Sequence, residues 1–317
     1  MAKAMSTDLG KLLFRGMLRI RMVEDRIKAM YHLREMRSPP HLCMGHEAIA
    51  VGVCAALGGT DVVYPYYRSH GWYLAKGGDL NAMMAELFGR ATGCSRGWGG
   101  SMHLIDLQAG VMGTSAIVGG TISHAAGAGL TFQLRRQGRV AVVTFGDGAT
   151  EEGVFHETLN FAALRRLPVV FVCENNLYAT NTHIRERQAQ TEIYRHAERF
   201  GMPGVAADGN DVGEVHTQAA QAVERARRGE GPTLLEFHTY RILEHCGVNE
   251  DHDVGYRRRE EVDAWRARGP LERARDVVDE REAARMREEI EAEIAEAVRV
   301  AQVAPWPTSL ALEREIR

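Results

Sequence analysis

Residues 139–176 constrain this chain more than any other segment. RVAVVTF (139–145) and PVVFVCE (168–174) are short apolar runs rich in valine, the pattern of parallel strands buried on both faces. Between them, about residues 151–166, lies a segment of helical length. Strand, loop, helix, strand is a βαβ unit, which commits the surrounding chain to helices layered on a parallel sheet. The helix VGEVHTQAAQAVERARR (212–228) and the strand TLLEFHTY (233–240) continue the alternation. The expected fold class is therefore α/β, mostly parallel, with helices on both faces.

The ends of the chain read differently. Residues 8–34 carry Leu13, Met17, Ile20, Ile27 and Met30 at helical spacing, with Asp8 as N-cap and Ser38-Pro39-Pro40 closing the segment. GHEAIAVGVCAAL, from Gly45, is small and apolar throughout and predicts a buried helix. The small-residue helix at 123–138 fits internal packing or a subunit contact equally. Of the 44 residues in 257–300, 24 are charged, yet Met286, Ile290, Ile294 and Val298 form an apolar seam; the charges read as a solvated face. Residues 1–317 are expected to form one domain, with a helical arm at about 8–34 and a C-terminal helix at about 271–302 ended by Pro305 and Pro307. Residues 93–121 are glycine-rich and aperiodic, but Trp98, Met102 and Ile117 predict an ordered, functional loop.

A net charge of −3 gives no electrostatic reason to expect nucleic acid or an anionic membrane as partner. Five scattered cysteines without a CxxC pair point to a reducing compartment. No apolar run is long enough for a signal peptide or a membrane span, so the expected location is cytoplasmic.

In an open α/β sheet, ligands bind outside the carboxyl ends of the strands. Gly146-Asp147-Gly148 leaves one such end and Asn175-Asn176 leaves the next, with 26 residues (149–174) between. Asp147 offers a hard anionic oxygen and Asn176 a neutral carbonyl, both suited to magnesium, which takes its remaining ligands from phosphates and water. The glycines clear side chains from a phosphate path, and a helix starting just after Gly148 would turn its N-terminus towards the anion. A metal-bridged diphosphate fits this pattern.

GDGATEEGVFHETLNFAALRRLPVVFVCENNLYAT resembles the thiamin diphosphate motif, and most closely that of the alpha subunit of the 2-oxo acid dehydrogenase decarboxylating component, the family of pyruvate, branched-chain 2-oxo acid and acetoin dehydrogenases. HLCMGHEA, YYRSHG, GWGGSMH, AIVGG, GPTLLEFHTYR and the closing VAPWPTSLAL agree in order, over about residues 10–310. The resemblance implies thiamin diphosphate and Mg2+ as cofactors, decarboxylation of a 2-oxo acid (or cleavage of acetoin), and transfer of the acyl unit to a lipoyl partner. It implies that Asp147, Asn176 and the Tyr178 carbonyl hold magnesium, and that Gly148, Ala149, Tyr67, Arg68 and Arg241 serve the diphosphate. Ala116 and Val118 would line the ring side, and His41, His70 and His245 would stand near the reacting carbon or the diphosphate. It also implies a beta subunit that supplies a pyrimidine-binding domain and an activating glutamate in an α2β2 assembly, and a lipoyl acyltransferase beyond it.

Three departures bear on that reading. His46 replaces a glutamine of the family pattern, Cys246 replaces a serine phosphorylated in some relatives, and the loop GVNEDHDVGY is longer and more acidic. Glu244 beside the centre would oppose an anionic substrate unless paired. These changes keep two alternatives in play: a split carboligase using an aldehyde acceptor, and a non-catalytic scaffold subunit.

Overall fold

A computed structural model describes residues 6–36 and 38–308. The last part of the VAPWPTSLAL segment, from Ser309, lies outside the described residues, as do residues 1–5. In chain order the helices are α1 (Thr7–Tyr31), α2 (Glu47–Ala55), α3 (His70–Ala75), α4 (Leu80–Leu87), α5 (Gly120–Leu134), α6 (Gly153–Arg165), α7 (Ile184–Arg187), α8 (Val212–Arg227), α9 (Arg259–Ala267), α10 (Pro270–Ala274) and α11 (Glu280–Val303). The strands are β1 (Val62–Tyr64), β2 (Ala141–Gly146), β3 (Val169–Asn175), β4 (Tyr178–Ala179), β5 (Thr182–His183), β6 (Gly204–Asp208) and β7 (Thr233–His238).

Five strands form a fully parallel sheet in the order β1-β2-β3-β7-β6, and β4-β5 is a separate antiparallel hairpin. The valine runs explain the layering. Val142, Val170 and Val172 pack into one core with α1, α2, α4, α8 and α11, while Ala141, Val143, Phe145, Val169 and Phe171 pack into a second with α5 and α6. Side chains alternate across a strand, so a run apolar at every position is buried on both faces. β2 and β3 pair in a register that sets Gly146 opposite Glu174. Asp147 and Asn176 therefore leave the sheet at the same edge.

Several boundaries differ from the sequence expectations. The N-cap of α1 is Ser6, whose Oγ accepts the Leu9 amide at 3.3 Å; Asp8 sits in the first turn instead. The expected C-terminal helix is broken: α10 and a 3-10 turn (Arg275–Val277) precede α11, which Asp279 caps by accepting the Glu282 amide. The helix after Gly148 starts only at Gly153, because Asp147–Glu151 forms a 3-10 turn first. The charges of α11 are not merely solvated. Lys11, Arg19 and Arg26 of α1 pair with Glu282, Glu293 and Glu291, lacing the two helices together along the edge of their apolar seam. Exposed pairs of this kind each contribute little, so the seam carries the packing.

The glycine-rich loop is ordered by one acid that the sequence reading passed over. Glu86 of α4 is fully buried, and its carboxylate accepts the amides of Ser95, Gly97, Gly99 and Gly100 at 2.7–2.9 Å. Gly97 adopts φ +79°, and a Cβ there would lie 2.7 Å from the Arg90 carbonyl oxygen. Trp98 and Ile117, however, remain exposed.

Ile294 is 1% exposed in the seam. Ile294→Ala is expected to cost about 2–5 kcal/mol of unfolding free energy in urea titration, with the m-value unchanged.

Candidate active site

A cleft of about 320 Å³ opens at the carboxyl ends of β2 and β3. It is lined by His41, Tyr67, Arg68, Ala116, Val118, Asp147, Gly148, Ala149, Asn176, Tyr178 and His245, which the fold draws from six separate stretches of chain. Two residues expected at the site do not line the cleft wall itself. His70 is fully buried beneath the cleft, with Nδ1 2.8 Å from Glu24 Oε1 and Nε2 2.8 Å from Ser101 Oγ. Arg241 is buried behind the hairpin, where Nη2 donates to the Thr180 carbonyl and the Tyr256 hydroxyl.

The Asn pair divides its work. Asn175, the last residue of β3, donates to Glu236 on β7 at 2.6 Å and accepts the Leu177 amide, so it ties the strand ends together. Asn176 faces the cleft; its Oδ1 accepts the Tyr178 amide at 3.1 Å and retains a second lone pair. The loop between Asn176 and β5 holds Leu177 at φ +74° and Thr180 at φ +52°, a costly conformation for residues with a Cβ. Asp147 is buried, and burial raises its carboxyl above the usual range while Arg187 pulls it back. Gly148 has room for no side chain, since its Cβ would lie 2.9 Å from the Ala179 Cβ.

His41, Tyr67 and His245 form an edge-to-face aromatic cluster with centroids 4.8–5.7 Å apart. Burial first, then the nearby Arg68, lowers both histidines to about 3. Both are therefore neutral near pH 7, able to donate from one ring nitrogen and accept at the other. Arg68 donates to the carbonyls of Leu42 (2.6 Å) and His245 (3.0 Å).

The unsatisfied donors test what the cleft can hold. Arg68 Nε, Arg241 Nε and Nη1, and His41 Nδ1 are buried without a hydrogen-bond partner. Buried polar groups are normally satisfied, and orphaned guanidinium N–H groups call for a strongly accepting anion. Burial first, then the proximity of Arg68, depresses Arg241 to about 10, against the opposing pull of Asp251 3.7 Å away. The donor set fits a diphosphate, and the oxygens of Asp147 and Asn176 fit a hard divalent cation that would bridge it.

The acidic loop does not oppose an anion. Glu244 is turned away from the cleft and accepts the Asn249 amide at 2.8 Å, closing its own loop. Asp251 pairs with Arg257 and reaches the Tyr256 hydroxyl. His46, at the substituted position, sets Nδ1 3.2 Å from Glu174, beside the Tyr66 hydroxyl and the Trp72 indole N–H at 2.9 Å. Burial pushes the Cys246 thiol up, and that of Cys43 further.

Sequence reasoning missed Glu174, Arg187 and Gln188. Glu174 had a visible signal, a charged residue ending an apolar strand. Arg187 and Gln188 sit in a short polar segment at the end of α7 and had none.

Fold and cleft together define an α/β protein with a polar cleft at a parallel sheet's carboxyl edge. The sequence model of the family described as Dehydrogenase E1 component matches residues 15–309, and the chain belongs to that family. Among its relatives, the alpha subunit of acetoin:2,6-dichlorophenolindophenol oxidoreductase from Bacillus subtilis is 46% identical over 233 residues, covering 74% of this chain and 70% of the relative. The pyruvate dehydrogenase E1 component subunit alpha of Porphyra purpurea is 38% identical, covering 96% and 91%. The Cupriavidus necator counterpart of the first is 38% identical, covering 93% and 90%.

The histidine pair sets a pH dependence. Unfolded, each histidine titrates near 6.5; folded, each holds out to about 3. Between those values the unfolded chain binds more protons, so stability falls as pH drops below about 6.5. Urea unfolding of cofactor-free protein at pH 7 and pH 5 should show that loss, and His245→Asn should reduce it; equal losses in both proteins would contradict the assignment.

Proposed function

We propose that this chain is the alpha subunit of a thiamin diphosphate-dependent dehydrogenase that decarboxylates a 2-oxo acid or cleaves acetoin. The single observation that carries the site assignment is the meeting of Asp147 and Asn176 at adjacent strand ends with the unpaired guanidinium donors of Arg68 and Arg241 close by. The names of the relatives, acetoin oxidoreductase and pyruvate dehydrogenase E1 alpha subunits, support the reaction class and favour neither the carboligase nor the scaffold reading.

In this reading Asp147, Asn176 and the Tyr178 carbonyl hold Mg2+, and Gly148, Ala149, Tyr67, Arg68 and Arg241 receive the diphosphate. When bound, thiamin diphosphate supplies the nucleophilic carbon and the electron sink. The chain's own residues orient and protect. The exposed apolar side chains of Ala116 and Val118 at the cleft mouth offer a surface for flat rings. His41 and His245, neutral near pH 7, hold or deliver a proton at a ring nitrogen. His70 is a positioning residue: Ser101 Oγ, which it contacts, accepts the His41 amide at 3.3 Å.

The alpha-subunit names of the relatives support a beta subunit as partner. We propose further that this partner supplies the pyrimidine-binding domain and an activating glutamate in an α2β2 assembly, and that a lipoyl acyltransferase takes the acyl unit. Among the described residues, no helix is long and apolar enough to cross a membrane. Five unpaired cysteines fit a reducing compartment such as the cytoplasm.

Asp147→Asn keeps the shape and removes the charge. In calorimetric titration of the assembled protein it should weaken magnesium-dependent binding of thiamin diphosphate by about tenfold or more, the loss of a charge-assisted contact. Unchanged affinity would refute the site.

A further inference from the structure

Arg187 ends α7, on the far side of the β4-β5 hairpin from Asn176. Its guanidinium bridges two acids, Asp147 through Nη2 and Glu151 through Nη1, while Nε donates to the Thr182 carbonyl at 3.0 Å. The side chain is 10% exposed and the Asp147 side chain 1%, so the ion pair is largely shielded from water. Gln188 completes the grip: Nε2 reaches the Asp147 carbonyl (3.3 Å), Thr150 Oγ1 (2.9 Å) and Glu151 Oε1 (3.1 Å). Two consecutive residues thus clamp the 3-10 turn that carries the principal cation ligand.

The contact falls on the carboxylate that a divalent cation would use. A guanidinium and a hard cation cannot share a buried carboxylate closely without strong mutual repulsion. Asp147 therefore already has a counter-ion, and a cation arriving alone must displace it. A cation arriving with a diphosphate brings anionic oxygens that offset the extra positive charge and give Arg187 new acceptors. Glu151, 37% exposed, stays available to keep the displaced guanidinium nearby. The hairpin that leads into α7 holds the left-handed Thr180 and follows the left-handed Leu177, a strained element of the kind found in segments with two arrangements.

We propose that Arg187 is the resident counter-ion of Asp147, which keeps a divalent cation from settling without a diphosphate and so couples the binding of the two. This rests on the cation-and-diphosphate reading of the cleft. Arg187 is then a residue that sets the order and selectivity of cofactor loading. By linkage, the factor by which it penalises the lone cation is the factor by which the diphosphate favours the pair.

The test uses the assembled protein stripped of cation and cofactor, with Mn2+ as probe, free ion counted by electron paramagnetic resonance, with and without inorganic diphosphate. Arg187→Gln should tighten Mn2+ binding in the absence of diphosphate by about tenfold, within the usual range of coupling, and shrink the gain on adding diphosphate by the same factor. Asp147→Asn should weaken Mn2+ binding in both conditions. If Asp147→Asn leaves Mn2+ binding unchanged, the cleft itself has been misassigned. If it weakens binding while Arg187→Gln leaves the lone-cation affinity equal or lower, the counter-ion role alone is overturned. Arg187→Lys covers the case of a Gln variant that does not fold: without the planar fork its lone-cation affinity should also rise, by a smaller factor, and no rise overturns the proposal.

Discussion

Buried carboxylates hold this site together, and each does so because a charge removed from water must find partners. Glu24, Glu47, Glu86, Glu174 and Glu236 are all 0–1% exposed. Each is satisfied by several groups outside its own helix or strand. Glu86 gathers four amides of the glycine-rich loop, and Glu174 gathers Tyr66, Trp72 and His46. Glu24 takes the Cys43 amide and His70, Glu47 takes Arg21 and the Gly45 amide, and Glu236 takes Asn175 and the Tyr194 amide. The loops around the cleft are irregular, so they have no ladder of their own to satisfy backbone groups. The acids supply the missing acceptors, and a half-satisfied acid would be costlier than none.

Above that layer the electrostatics are inverted. Arg68 and Arg241 lie close enough to depress one another's neighbours, and orphaned guanidinium N–H groups remain among them. Burial first, and this positive charge second, keeps His41 and His245 neutral, so the same arginines that would receive an anion also bear on the protonation of the cluster beside it. The acidic 244–254 loop offsets that charge only at Arg241, whose Nη2 lies 3.7 Å from Asp251 Oδ2. Glu244 and Asp251 otherwise bind Asn249, Arg257 and Tyr256, which turns a loop that reads as repulsive into structural support.

The parts legible in the sequence are those encoded locally. The strands at 139–145 and 168–174 were readable because burial on both faces demands an uninterrupted apolar run, and the turn after each strand carried its own chemistry in Gly146-Asp147-Gly148 and Asn175-Asn176. Cap positions were less legible: Ser6 rather than Asp8 caps α1, since both residue types cap well and only the helix phase chooses. His70 belonged to a matching motif, yet its ring is committed to Glu24 and Ser101 below the cleft.

By itself the sequence determined the α/β class, the parallel pairing around β2 and β3, and the placement of Asp147 and Asn176 at their carboxyl ends, because hydrophobic period and turn residues act over a few positions. Tertiary structure alone decided that His46 joins Glu174, that Glu244 faces its own loop, and that Arg187 lies on Asp147, forty residues away along the chain. An ion pair is chosen by proximity and desolvation, and neither exists until the sheet has brought the strand ends together.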